Sequence, residues 1–116
     1  MPAKKNPLNL NPLQLKTLTL FQALSQMEGI ATPGEEPGDV VIGHMPRPHG
    51  DHFHLGHYVV RAQDASGLAN QSVWTVLERK QLIKSPRFPM ACILTAAGVA
   101  YETGLKDQIL HQGGGH

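Results

Sequence analysis

The chain has 116 residues, of which 41% are hydrophobic and 16% charged, with a formal net charge of +1. That length supports one core of ordinary size, and that composition excludes a wholly disordered protein. No run approaches the roughly 20 apolar residues of a membrane span, Lys4 and Lys5 lead into no apolar secretory segment, and the lone Cys92 excludes an internal disulfide. The expectation is one cytoplasmic domain over residues 1–116, with no membrane association and with flexible ends at 1–10 and 111–116.

Residues 1–9 are polar and interrupted by proline. Asn11-Pro12 opens the first helix, because Asn caps and Pro is tolerated at the first helical position. Leu13, Leu20, Leu24 and Met27 recur at helical spacing and Phe21 widens the stripe, which predicts a helix over residues 12–28 closed by Gly29. Leu15 and Leu18 lie off that stripe. They predict a second contact surface, covered either by a second copy in a homodimer through residues 12–28 or by the hairpin that follows.

Residues 29–39 are rich in Gly, Pro and Glu and read as a surface loop. Residues 39–45 form a short apolar strand, 46–51 carry turn chemistry, and 52–60 alternate as a strand in their first half. Together they predict a β-hairpin. From Arg61 the chain hands over to a short helix that stops near Gly67. Asn70 caps the next helix, in which Ala69, Val73, Val76 and Leu77 share one face, Trp74 flanks it, and Gln71, Ser72, Thr75, Glu78 and Arg79 face elsewhere. Leu82-Ile83 starts an extended segment, residues 85–89 form a short loop, and residues 90–94 return as a strand. Thr95 caps a final helix running to about Thr103, where Gly104 ends or bends it. Cys92 sits in the apolar run Met90-Ala91-Cys92-Ile93-Leu94 with nothing nearby to lower its pKa, so it reads as a buried structural thiol. No internal repeat is present.

The order over residues 58–103 resembles a winged helix-turn-helix domain of the kind found in bacterial transcription regulators. The residues that carry the resemblance are Gly67, Leu68, Val73 and Val76 for the helix-turn-helix unit, then Leu77-Glu78-Arg79-Lys80-Gln81-Leu82-Ile83, then Leu94-Thr95-Ala96-Ala97-Gly98. Two departures stand out. Gln81 occupies the position where Gly usually closes the helix, and Gln63 the position where the preceding helix usually has Ala. The implied fold is α+β and winged-helix-like: an N-terminal helix, an inserted β-hairpin, a helix-turn-helix, a short wing and a C-terminal helix. The implied function is a DNA-binding transcriptional regulator, with double-stranded DNA as partner. In that frame Asn70, Gln71, Ser72, Thr75 and Arg79 would read base edges, since Asn and Gln pair with adenine and Arg with guanine. Lys80, Lys84 and Arg87 would touch phosphates. Local charge agrees in sign: residues 61–87 carry a net +3 and residues 1–38 a net zero. That excess is small for a dedicated nucleic-acid binder. Winged helices also serve as protein-interaction modules, the alternative reading.

Five of the seven histidines lie between His44 and His57. His52 and His54 are two apart on a strand and point to one face. A third ligand for zinc or another divalent transition metal could come from His44, His49 or His57, with Asp51 a carboxylate option; if His44 lies opposite His54 in the hairpin, His44, His52 and His54 form the set, and a one-residue slip breaks it. The same cluster offers a proton switch, since neighbouring imidazolium ions repel. The bland alternative is a polar strand face, with Phe53, Leu55 and Val59 packed inward. No enzyme is expected: Asp51 and Glu102 are acid–base candidates in name only, and the glycine-rich phosphate-binding and nucleophile motifs are missing.

Overall fold

Asn11 starts the first helix through a closed capping box: its Oδ1 accepts the Gln14 N–H at 2.8 Å, and Gln14 Oε1 accepts the Asn11 N–H at 2.9 Å. The structure, a computed structural model, describes residues 6–112. Helix α1 runs Pro12–Leu24. It ends before the predicted Glu28 because the chain tightens: Gln26 N–H bonds Ala23 O and Met27 N–H bonds Leu24 O, three residues back rather than four.

The architecture is α+β, with four α-helices and two antiparallel sheets among the described residues. The first sheet has the order β1 (Ala31–Pro33), β2 (Val40–Ile42), β7 (Ala91–Leu94), β6 (Ile83–Arg87); the second has β3 (Pro48–His49), β4 (His52–Leu55), β5 (Tyr58–Arg61), β8 (His111–Gln112). Between β5 and β6 the chain forms two 3-10 turns, Ala62–Asp64 and Ser66–Ala69, and helix α2, Gln71–Arg79. Helices α3, Ala96–Ala100, and α4, Lys106–Ile109, follow β7.

The predicted hairpin between residues 39–45 and 52–60 does not form. β2 pairs with β1 and β7 (Val41↔Thr32, Val41↔Ile93), so its apolar residues join the first sheet. Two tight hairpins take its place: β3–β4 turns through Gly50-Asp51 and β4–β5 through Gly56-His57. Gly50 and Gly56 have φ of +69° and +59°, the left-handed region that two-residue hairpin turns require. The predicted strand over 52–60 is thus two strands, and His57 lies in the turn.

One apolar core joins all of this, and α1 passes through its middle. Leu18, Leu20, Phe21 and Leu24 are fully buried, as are the neighbouring Thr17 and Thr19 to within 1%. Thr17 Oγ1 donates to Leu13 O at 2.8 Å, and Thr19 Oγ1 bonds Leu15 O and Thr103 Oγ1, so neither hydroxyl is left dry. Leu18 is fully buried and Leu15 half-buried against the core, and α1 as a whole packs chiefly on the 3-10 turns, α2 and α3. Of the two residues that suggested a second contact surface, Leu18 is thus used within the chain itself, while Leu15 keeps part of its side chain exposed. Lys16 fastens the same contact, its Nζ 2.8 Å from the buried carboxylate of Asp64.

Trp74 stacks edge-on between Phe21 (5.2 Å) and Phe88 (4.9 Å) and gives its Nε1–H to Gly67 O. Its burial makes it a core anchor, worth roughly 2–3 kcal/mol by area. The segment 6–10, read as a flexible lead-in, is tied down: Asn6 bonds both backbone groups of Leu10, and the Tyr101 hydroxyl donates to Asn6 Oδ1 while accepting the Leu8 N–H. His111 and Gln112 are likewise paired in β8; the remaining predicted flexible ends, 1–5 and 113–116, lie outside the described residues. Helix α3 stops at Ala100 rather than Thr103 because Gln22 Nε2 takes the Gly98 and Tyr101 carbonyls. No helix among the described residues is long and apolar enough to cross a membrane.

Candidate functional site

Two groups of side chains stand out, one on α2 and the strand after it, the other on the β3–β4 hairpin. The sequence of α2 divides it sharply. Val73, Trp74 and Leu77 are buried, while Gln71, Ser72, Thr75, Glu78 and Arg79 are exposed. At 3.6 residues per turn those five span an arc of about 120°, so the helix offers one continuous polar face. Its N-terminus is fixed by Asn70, whose Oδ1 accepts the N–H groups of Ser72 (3.0 Å) and Val73 (3.4 Å). Its C-terminus closes with Leu82 N–H on Leu77 O and Gln81 N–H on Glu78 O, while Gln81 sits at φ +64°. That is the double bond pattern of a left-handed cap, made here by Gln where Gly is usual.

The ribbon after α2 is β6, a turn at residues 88–90, and β7. Gly98, at the start of α3, lies against its base: a Cβ there would overlap Leu82 O and press on Leu94 Cδ1. Gly67 is required for a similar reason. A Cβ there would overlap Thr17 Oγ1, so this glycine allows the 3-10 segment to approach α1 and does not provide a left-handed turn.

The predicted DNA-contact residues fare differently. Gln71, Ser72, Thr75, Arg79 and Arg87 are exposed along α2 and the end of β6. Asn70 has its carbonyl engaged in the cap, so bidentate pairing with adenine would cost the helix that cap. Lys80 Nζ donates to Leu8 O at 3.0 Å, and Lys84 Nζ lies 3.4 Å from the buried Asp39, whose other oxygen accepts the Ala96 N–H. Both lysines therefore serve the fold as well as the surface. Glu78, outside the predicted DNA contacts, sits within the exposed arc beside Thr75 and Arg79. Its helical position was the signal.

On the hairpin, His49 pairs directly across from His52, and His54 follows two residues on, so the three rings share a face. Their centres are 4.8 Å (His52–His54), 5.4 Å (His49–His54) and 5.5 Å (His49–His52) apart. The Nε2 atoms of His52 and His54 are 3.1 Å apart, and His52 Nδ1–H donates to Asp51 Oδ1, also at 3.1 Å. That bond holds the Asp51 carboxyl below its usual pKa. Arg61, cross-strand from His52, adds a cation to the same face. His44 follows β2 in the other sheet and lies outside this hairpin; of the three candidates for the third ring, His44, His49 and His57, it is His49 that stands with His52 and His54. The Gly50-Asp51 pair was the overlooked signal, a two-residue turn that sets His49 opposite His52.

No protein-family model, curated protein or solved structure shows a significant match to this chain.

Proposed function

We propose that the chain is a small DNA-binding protein of the winged-helix class, acting as a cytoplasmic transcriptional regulator, with α2 as the helix that enters the major groove and β6–β7 as the wing. The observation that carries the reading is the arrangement of polar α2 and its ribbon. The helix follows a short helical segment packed on α1 and leads directly into β6–β7, and β2, from before that segment, pairs with β7, with β1 beyond it as the edge strand. A helix with its polar arc turned outward fits the groove dimensions such motifs use. Gln71 and Arg79 are the base-reading candidates, Ser72 and Thr75 the short polar contacts, and Arg87 the clearest phosphate contact.

The test is fluorescence anisotropy of a labelled random-sequence duplex at low and moderate salt. Saturable binding that weakens with salt is expected, and Arg79→Ala and Arg87→Ala should each reduce the salt slope by about 1 without changing the melting temperature. Lys84→Ala is a poor probe, because it also strips the buried Asp39 of its cation. Absence of binding at low salt would overturn the proposal. A second reading, a protein-interaction module of the same architecture, is favoured by Glu78 on the polar face and by Met90, 66% exposed at the ribbon turn. It predicts a specific partner on pull-down that Met90→Ser or Glu78→Lys releases.

A further inference from the structure

We propose that His49, His52 and His54 form a binding site for one divalent transition-metal ion of the zinc, nickel and copper class, held by three imidazoles with one position open to solvent. The inference rests on ring spacing and is independent of DNA binding. Two imidazoles on one tetrahedral zinc, each with Zn–N of about 2.05 Å, hold their nitrogens about 3.3 Å apart and their ring centres about 5.2 Å apart. Here the His52 and His54 Nε2 atoms are 3.1 Å apart, and the three ring centres are separated by 4.8, 5.4 and 5.5 Å. The backbone produces this spacing: a two-residue turn sets His49 against His52, and strand alternation sets His54 on the same face.

As the side chains stand, no three His, Cys, Asp or Glu among the described residues are placed to hold a metal ion together. The remaining step is a turn of the exposed His49 ring that aims a nitrogen at the point His52 and His54 share. Asp51 prepares the site. By accepting the His52 Nδ1–H it leaves the Nε2 lone pair for the ion, the carboxylate–histidine–metal arrangement that fixes ligating rings. For both Nε2 lone pairs to face the ion, His54 takes the same Nδ1–H tautomer as His52, its proton moving from Nε2 to Nδ1 by exchange with solvent; each ring stays neutral with one N–H, and no oxidation state changes. Arg61 opposes a further positive charge on this face, and the Asp51 carboxylate offsets it. Neutral imidazole suits zinc, nickel and copper and excludes the oxygen-preferring calcium and magnesium.

The experiment titrates the metal-free full chain with Zn²⁺ alone by calorimetry near neutral pH, with Co²⁺ as an optical probe of coordination. One ion per chain and a tetrahedral Co²⁺ visible band are expected. His49→Ala and His52→Ala should each weaken uptake about a hundredfold or more, and Asp51→Asn about tenfold. His44→Ala, His57→Ala and His111→Ala should leave it unchanged: β8, which carries His111, is two strands from β4, roughly 10 Å away. Zn²⁺ should raise the thermal midpoint of the parent chain and not of His49→Ala, with the two metal-free midpoints equal, so that loss of uptake is separated from loss of fold. Lack of saturable uptake would overturn the site. So would uptake that survives His49→Ala, or uptake lost with His44→Ala while His49→Ala retains it.

Discussion

Gln81 holds a φ of +64°, where a Cβ crowds the following carbonyl at a cost of roughly 1–2 kcal/mol. The two hydrogen bonds that close α2 require that conformation, and they are backbone bonds that any residue there can make. Gln81→Gly should therefore stabilise the protein by about 0.5–1 kcal/mol, after the added freedom of the unfolded chain is deducted; chemical denaturation checks it, and a loss of stability would mean that the glutamine side chain itself contributes. Cys92 gives a second prediction at the same scale. Burial pushes its thiol from 9.0 up to about 12. The native protein should thus resist thiol-labelling reagents at neutral pH and react only as fast as it opens. The sign with pH follows from the same shift. Below pH 9.0 both states keep the proton; between 9.0 and about 12 only the unfolded chain loses it, so stability falls across that interval. Cys92→Ala should remove that fall, read from thermal midpoints across the alkaline range.

Between elements, the contacts that hold α1 and α3 in place are few and specific. Gly98→Ala should cost about 1–3 kcal/mol, because the new methyl meets the Leu82 carbonyl and Leu94 at the base of the ribbon. Lys16→Met should cost a similar amount, roughly 1–3 kcal/mol, because it leaves the buried carboxylate of Asp64 without its cation; Lys16→Met with Asp64→Asn should recover most of it, and urea unfolding of the three variants checks both statements. The elements legible in the sequence are those fixed by local chemistry. Asn11, Asn70 and Thr95 cap α1, α2 and α3 because a short polar side chain ahead of an apolar run satisfies nearby N–H groups. What sequence did not reveal is pairing at a distance. Val41 has its partners at Thr32 and Ile93, and nothing local in an apolar triplet distinguishes those from the nearer segment at 52–60. β1 was read as loop since it contains Pro33, and β8 is too short to show a period. At the hairpin, the His52–His54 pair was legible from strand alternation. Which of His44, His49 and His57 joins it was not, because that depends on which two residues form the turn.

For the molecule as a whole, charge sets how tightly and in what manner α2 could hold DNA. Net charge is only +1, and the cations on α2 and the strand after it are Arg79, Lys80, Lys84 and Arg87. With at most those four on phosphates, the log–log salt slope should not exceed about 3.6, so affinity should fall no more than about 150-fold between 50 and 200 mM salt. Lys80 and Lys84 are already engaged with Leu8 O and Asp39, which lowers the slope further if they stay there. Glu78 works against the same phosphates from within the polar arc. Glu78→Gln should raise affinity severalfold at low salt, and the gain should fade as ionic strength shortens the reach of the carboxylate. Anisotropy titrations of the parent chain and this variant at three salt concentrations give both quantities together. A slope well above the bound would mean that more than one copy occupies each site, since one face lacks the cations for it. A slope near zero with no effect of Glu78→Gln would mean that the polar arc of α2 meets a protein surface instead.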